Sequence, residues 1–471
     1  MERRTFLARS AQAVVGAAML PELVRASAVK AAAVVAPVVV PVTGTGPARL
    51  NVRDAMFGAM GDGVTKDTAA LQAALDRCGV LGGGEVLVPA GNYLTGSIQI
   101  RSNTTLRLAE GAVLMGSPEM DDYAVTQVRW EGRWIPGHTA LVYAIDATGV
   151  GVMGAGKIAG NDALGGRPTK DKPLRHPALM EFLRCDGIHL QGFSTSYHQM
   201  WSIHPTASRN ILIEDLTIRS TGGNGDGIDI DSCKQVVIRR CDISTGDDCI
   251  SLKSGRGEEA YTQAMGTEDV TISDCTFADA IFACIGIGSE NSAGTKRVRV
   301  ERCKFTGAKS HAIYIKSRPG RGALLEDFTF EDIEASGMVG GFLRINLLNS
   351  GLLGEDPVPG LAGIPQGRNF VFRNVRVTDA PVLVHALEIP AEKPLDGLVL
   401  ENISGTCKKG IEIANAQRVV IKNVTVTGFD GPKVAILNVT GKGLEGAAAA
   451  ALAGVKTPDP VPEPAEPYKL R

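Results

Sequence analysis

A nine-fold recurring phrase constrains this chain more than any other feature. Five copies are strong: Gly187-Ile-His-Leu-Gln-Gly-Phe193, Asn210-Ile-Leu-Ile-Glu-Asp-Leu-Thr-Ile218, Gln235-Val-Val-Ile-Arg-Arg-Cys-Asp-Ile243, Asp269-Val-Thr-Ile-Ser-Asp-Cys-Thr-Phe277 and Arg297-Val-Arg-Val-Glu-Arg-Cys-Lys-Phe305. Weaker copies begin at Asp327, Asn369, Gly397 and Arg418, and successive copies lie mostly 21 to 34 residues apart. Each phrase alternates apolar and polar residues, which is the period of a strand. A short strand cannot bury its apolar side alone, so the repeats must stack, each coil giving the next a parallel neighbour. The spacing leaves no room for a helix in most repeats, which disfavours a doubly wound sheet. Second strands fit between the phrases, as in Gly227-Ile-Asp-Ile-Asp231 and Cys249-Ile-Ser-Leu-Lys253. The expectation is an all-β, single-stranded right-handed parallel β-helix of residues 46–440. A leucine-rich horseshoe would need a Leu/Asn signature that is absent.

Composition agrees. Hydrophobic residues are 44%, which can build a long core, and 56 glycines with only 5% aromatics suit many short strands and tight turns. The net charge of −2 argues against a nucleic-acid partner. Thr65 to Cys78 is the one strong helical stretch, with Ala70, Leu71, Ala74, Leu75 and Cys78 on one face, Asp67 as N-cap and Gly79 as stop. It is expected to cap the first coil, closing the otherwise open solenoid end of a monomer. Residues 441–471 turn rich in Ala and Pro and read as a loosely attached tail.

At the start, Arg3-Arg4-Thr5-Phe6-Leu7 precedes an apolar run and then Ala26-Ser27-Ala28. This reads as a twin-arginine-type export signal over residues 1–28, followed by a linker over 29–45. The second apolar stretch, Ala31 to Val42, carries Pro37 and Pro41 and is too short to span a bilayer. A periplasmic or secreted protein with no stable membrane insertion after cleavage is expected. Export would permit disulfides, but Cys241, Cys275 and Cys303 fill one slot of the repeat, which reads as an interior stack.

Acidic residues cluster in Asn224-Gly-Asp-Gly-Ile-Asp-Ile-Asp231 and Gly246-Asp-Asp-Cys-Ile-Ser-Leu-Lys253. Asp226 and Asp248 are 22 residues apart, about one coil, so the two segments stack at about 4.8 Å. Ile228, Ile230, Ile250 and Leu252 point inward; Asp229, Asp231, Ser251 and Lys253 point outward. Carboxylates that close raise one another's proton affinity, which keeps one protonated beside an ionised partner.

These motifs, with Ile315-Lys-Ser-Arg-Pro-Gly-Arg-Gly322, Phe57-Gly-Ala-Met-Gly-Asp-Gly63 and Trp201-Ser-Ile-His-Pro205, resemble the family 28 glycoside hydrolases, the polygalacturonases and their relatives. The resemblance runs from about Asn51 to Ile333. It implies a parallel β-helix that hydrolyses pectic or related polysaccharides and oligosaccharides with inversion and no metal or other cofactor. It makes Asp247 the general acid, and Asp226 and Asp248 the pair that positions and deprotonates the water. Two family features are missing. No histidine stands in Asp279 to Glu290, where the family's Gly-His-Gly falls and where Phe282 or a neighbour takes its place. The family's Arg-Ile-Lys becomes Tyr314-Ile-Lys316, and tyrosine lacks the bidentate carboxylate clamp of arginine. An altered specificity follows, with a neutral sugar at one subsite. Lys316, Tyr314 and Lys253 are expected to contact substrate. Further candidates are His204, Arg318, Arg321 and His311, the last as a substitute for the missing histidine. Trp130, Glu131, Arg133 and Trp134 would form a stacking wall. The segments 120–140 and 161–178 are long enough to close one end of the groove, which points to exo action. Two other classes remain: a calcium-dependent β-helix polysaccharide lyase, which the acid cluster could serve, and a non-catalytic glycan-binding β-helix, suggested by the missing histidine and arginine.

Overall fold

The computed structural model describes residues 46–170, 173–351, 357–452, 455–456 and 461, all within one compact unit, Ala33–Arg471. The expected export signal and linker lie outside the described residues. Among the described residues no helix is long and apolar enough to cross a membrane.

The chain is a right-handed parallel β-helix: among the described residues 31 strands join one sheet, and successive coils pair in parallel. The repeat sets the register. Ile188 lies over Ile211, then Val236, Val270, Val298, Phe328, Phe370 and Leu398, each paired with the next. Like residues therefore stack on like, and Phe328 lies flat on Phe370 with ring centroids 4.7 Å apart.

The phrase is not one straight strand. In eight of the nine copies the position before the cysteine slot (Asp215, Arg240, Asp274, Arg302, Asp332, Asn374, Asn402, Asn423) takes φ between 50° and 60°, and in the first copy Gly192 takes 83°. That left-handed residue bends the chain from one face of the helix to the next, so Arg209–Glu214 and Thr217–Arg219 are separate strands. Asn and Asp tolerate this conformation best. Arginine occupies it where its side chain reaches a carboxylate one coil away, as in Arg240 Nε to Asp215 Oδ1 at 2.7 Å. The next position is the cysteine slot. All nine cysteines are buried and free, and the Sγ of Cys241, Cys275 and Cys303 each donates to the carbonyl two residues earlier.

The cap helix spans Thr68–Val80 and buries Leu71, Ala74, Leu75 and Cys78, with Ala70 partly buried beside them. Two details differ from expectation. Gly79 lies inside the helix, whose C-cap is Leu81. Asp67 occupies the N-cap position but makes no side-chain cap; its carboxylate accepts from the Met60 and Gly61 amides at 2.7 and 2.9 Å, tying the preceding turn instead. A second, short helix at Gly257–Gln263 has no periodic signal in the sequence. At the far end, Val434–Lys442 crosses residue 440 and Ala448–Ala449 pairs with it. The described tail residues are tied to earlier coils: Lys456 O accepts from Asn349 Nδ2 and Val461 O from the Gly360 amide.

Candidate active site

Strands Ile228–Asp231 and Ile250–Lys253 pair in register, Ile228 with Ile250 and Asp231 with Lys253. Their isoleucines and leucine enter the core. The alternate residues face away from it, yet Asp229, Asp231 and Ser251 are fully buried, because loops cover this face. The acids Asp226, Asp247 and Asp248 sit at the entrances of the two strands. The Gly227 amide donates to Asp248 O at 3.0 Å, which locks the entrances one coil apart. One carboxylate oxygen from each acid lies within 4.8 Å of the others. They open on a cavity also lined by Glu131, Arg167, Trp201, Asn224, Lys253, Phe282, Gly288, Ser289, Glu290 and Lys316.

Each acid has a distinct setting. Asp248 is saturated: Oδ1 accepts from the Ala283 amide at 2.9 Å, and Oδ2 from Ser251 Oγ at 2.9 Å and Lys316 Nζ at 2.8 Å. Asp247 is half-buried, and one of its oxygens accepts from the Asp248 amide at 3.0 Å. Burial first, then the Asp248 charge, pushes its carboxyl up to about 6 against the pull of Lys316 and Lys253. Asp226 is buried, and its Oδ1 has no hydrogen-bond partner. Burial, then Asp229 and Asp247, raises its proton affinity well above the carboxylate norm. Beneath them burial pushes Asp229 up to about 7 despite Lys253, whose Nζ stands 3.4 Å away. The set therefore retains protons near neutrality, as a general acid requires. Burial also pushes Glu290 up, but Lys253, Arg321 and Lys316 around it bring it down to about 2. Three carboxyls this close are also a donor set for a hard cation. Here the Lys316 ammonium supplies the positive charge at Asp248.

Gly286 makes room for that pair. It lies opposite Ser251, and a Cβ there would stand 2.4 Å from Asp248 Oδ2 and 3.2 Å from Lys316 Nζ. Gly286→Ala is expected to displace the Asp248 carboxylate and lower kcat about 10²-fold, the cost of roughly 1 Å of misplacement in a catalytic group. Steady-state kinetics beside a thermal melt check this; an unchanged kcat would mean that Asp248 needs no fixed position.

Six of the candidates singled out in the sequence line the cavity: Glu131, Asp226, Asp247, Asp248, Lys253 and Lys316. Phe282 stands there as well, its ring 4.7 Å from Lys316 Nζ. The others do not line it. Tyr314 is buried, its hydroxyl 3.3 Å from Ser350 Oγ and its ring beneath Arg344. His311 is buried between Ser310 and Tyr314, and burial, Arg344 and His385 hold it down to about 4. His204 lies in a buried network, Nδ1 at 3.3 Å from Glu181 and Nε2 at 3.0 Å from Thr206, under the edge of Trp201. Arg318 donates to Gly351 O on the outer loop. Trp130 and Arg133 face each other at the end of a hairpin, Val125–Trp130 with Arg133–His138. Only the tip residue between them, Glu131, reaches the cavity. No stacking wall of Trp130 and Trp134 forms; the tryptophan of the cavity is Trp201, with Lys253 Nζ 4.8 Å from its ring. Arg167 and Glu290 were not foreseen, since neither belongs to a recurring motif.

The hairpin itself covers the outward face of the strands. Glu131 and Gly132 both take positive φ, 44° and 76°, the two-residue turn that suits the strand twist. Gly132 O accepts from the Arg256 amide at 3.0 Å, and a Cβ on Gly132 would meet that nitrogen at 2.8 Å. Arg129 Nε donates to Asp231 Oδ2 at 3.0 Å with both side chains buried.

Residues 78–345 match the model of the glycosyl hydrolases family 28. A probable polygalacturonase of Vitis vinifera is 31% identical over 362 residues, 74% of this chain and 72% of that protein. An exo-poly-alpha-D-galacturonosidase of Dickeya chrysanthemi is 26% identical over 402 residues, 72% of this chain and 64% of that protein. Among solved structures, a hyperthermoactive exopolygalacturonase from Thermotoga maritima aligns with a TM-score of 0.69 and 26% identity, covering 81% of this chain and 93% of that one.

Proposed function

The chain belongs to the family 28 glycosyl hydrolases, a glycosidase of the pectin-degrading, polygalacturonase-like kind, and from that premise we propose that it releases sugar units from the end of a galacturonate-containing chain with inversion at the anomeric carbon. The observation that carries the reading is the convergence of Asp226, Asp247 and Asp248 on one cavity with Lys316 bound to Asp248. Asp247 holds its proton into the mildly acidic range and has one oxygen unoccupied by the backbone, so it donates to the leaving glycosidic oxygen. Asp248 is held in place by an ammonium and two further donors. Asp226 turns its unpartnered Oδ1 to the attacking water. The raised affinity of Asp226 for a proton lets that oxygen take the water's proton as the new bond to the sugar forms.

The spacing raises an alternative. Carboxyls within 4.8 Å are closer than the ~6.5–9.5 Å of most inverting pairs and nearer the ~5–5.5 Å of retaining ones. Retention needs a free carboxylate as nucleophile. Asp248 has both oxygens occupied, and the raised proton affinity of Asp226 suits a base more than a nucleophile, so hydrolysis through water is favoured. End-on action follows from the hairpin, docked through Arg129–Asp231 and Gly132–Arg256, which covers part of the catalytic face. Proton NMR of defined oligogalacturonates during the first turnovers tests both points. The expected product is a short sugar from one chain end, first appearing as the opposite anomer. First appearance of the retained anomer would overturn the water mechanism; a random ladder of fragments would overturn end-on action.

A further inference from the structure

The cavity carries more negative than positive groups. Among its described lining residues are the carboxyls Glu131, Asp226, Asp247, Asp248 and Glu290, against the cations Arg167, Lys253 and Lys316. A uronate entering this site needs a cation free to meet it. Neither lysine is free. Lys316 Nζ donates to Asp248 at 2.8 Å and its head lies against the Phe282 and Tyr314 rings. Lys253 sits between Asp229 at 3.4 Å and Glu290 at 3.7 Å, over Trp201. Their side chains are only 12% and 8% exposed. Tyr314, which stands where the resemblance places an arginine, is buried and turned to Ser350.

Arg167 differs. Its side chain is 58% exposed, and its guanidinium stands 3.7 Å from Glu131, too far for a formed hydrogen bond. It comes from the segment after the short turn Asp162–Leu164. Glu131 does not depend on it, because Arg256 Nη1 stands at the same 3.7 Å on its other oxygen. A substrate carboxylate can therefore take Arg167 without leaving Glu131 uncompensated. Guanidinium meets carboxylate through two parallel hydrogen bonds, which an ammonium cannot do.

We propose that Arg167 is the specificity-determining residue that grips the substrate's carboxylate, in place of the arginine missing at Tyr314, with Glu131 as its loose partner otherwise. The assignment rests on the proposed galacturonate substrate. The test is kcat and KM on trigalacturonate and on its methyl ester, for the parent, Arg167→Gln and Arg167→Lys, with thermal melts as a folding control. A charge-assisted bidentate contact is worth roughly 10–100-fold in binding. KM for the free acid should rise by about that factor in Arg167→Gln with kcat nearly unchanged, KM for the ester should stay as it is, and Arg167→Lys should recover part of the loss. If the parent cleaves the acid and Arg167→Gln keeps its KM, Arg167 does not read the carboxylate while the galacturonide reading survives. If the parent cleaves neither substrate, the function reading fails and this assignment with it.

Discussion

Asp247→Asn should lower kcat roughly 10²–10⁴-fold on natural oligosaccharides, the span that general-acid catalysis supplies, with KM little changed. Asparagine keeps the shape, and its amide oxygen can still accept from the Asp248 amide, so the cavity stays intact. It cannot give a proton to the departing oxygen. The loss should therefore shrink on an aryl glycoside whose leaving group departs without protonation. The pH profile adds a second signature. With its carboxyl pushed up to about 6, Asp247 carries the proton below that pH and loses it above, so the parent's rate falls on the alkaline side. That limb should vanish in the variant. Stability of the parent moves in the same direction with pH. The raised carboxyl binds its proton more tightly in the folded state than in the unfolded chain, so the parent gains stability as pH falls through 6 towards the unfolded value near 4. Above pH 6 that ionised, half-buried charge is a cost, and Asp247→Asn should unfold at higher denaturant than the parent at pH 7. A variant that cleaves natural and aryl substrates at parental rates would end the role of Asp247 as acid.

The repeat made the fold legible because a solenoid turns one local pattern into a global one. Register from Ile188 to Leu398 follows from the phrase alone. The bend inside it was hidden because Asp215, Asp274 and their equivalents look like ordinary polar positions of an alternating strand; only the backbone shows their positive φ. The acids were legible for the same reason as the fold, being one coil apart. The rest of the cavity was not. Alternation gives the side of the strand and nothing about what covers it, so Asp229 and Asp231, correctly placed outward, lie beneath loops. Tyr314 points outward too, but Ser350 and Arg344 enclose it. Arg167 and Glu131 come from long insertions with no period, and only tertiary structure brings them to the acids.

Arg129→Met should destabilise the protein by about 3–5 kcal/mol, because it leaves Asp231 buried and charged without its ion partner. Burial pushes the Asp231 carboxyl up, but Arg129, His204 and the Ser232 hydroxyl together hold it below the ordinary range. In the parent, the depressed carboxyl contributes stability above its unfolded value near 4, and that contribution is lost as pH falls further. Without Arg129 the carboxyl must take up a proton at higher pH, so the deficit of the variant should narrow on acidification from pH 7 to 5. Urea unfolding at the two pH values measures this; a deficit below about 1 kcal/mol at pH 7 would mean that the pair behaves like a solvated surface bridge. Adding Asp231→Leu removes the orphaned charge and should restore most of the stability, since apolar groups of similar size replace buried pairs at little cost. The double variant then isolates the role of the hairpin. Arg129 is on its first strand and Asp231 on the catalytic face, so cutting that link loosens the cover while the cavity acids stay in place. Stable, active protein that cuts within long chains would show that the docked hairpin enforces end-on action; unchanged release of short products from one end would place that restriction elsewhere.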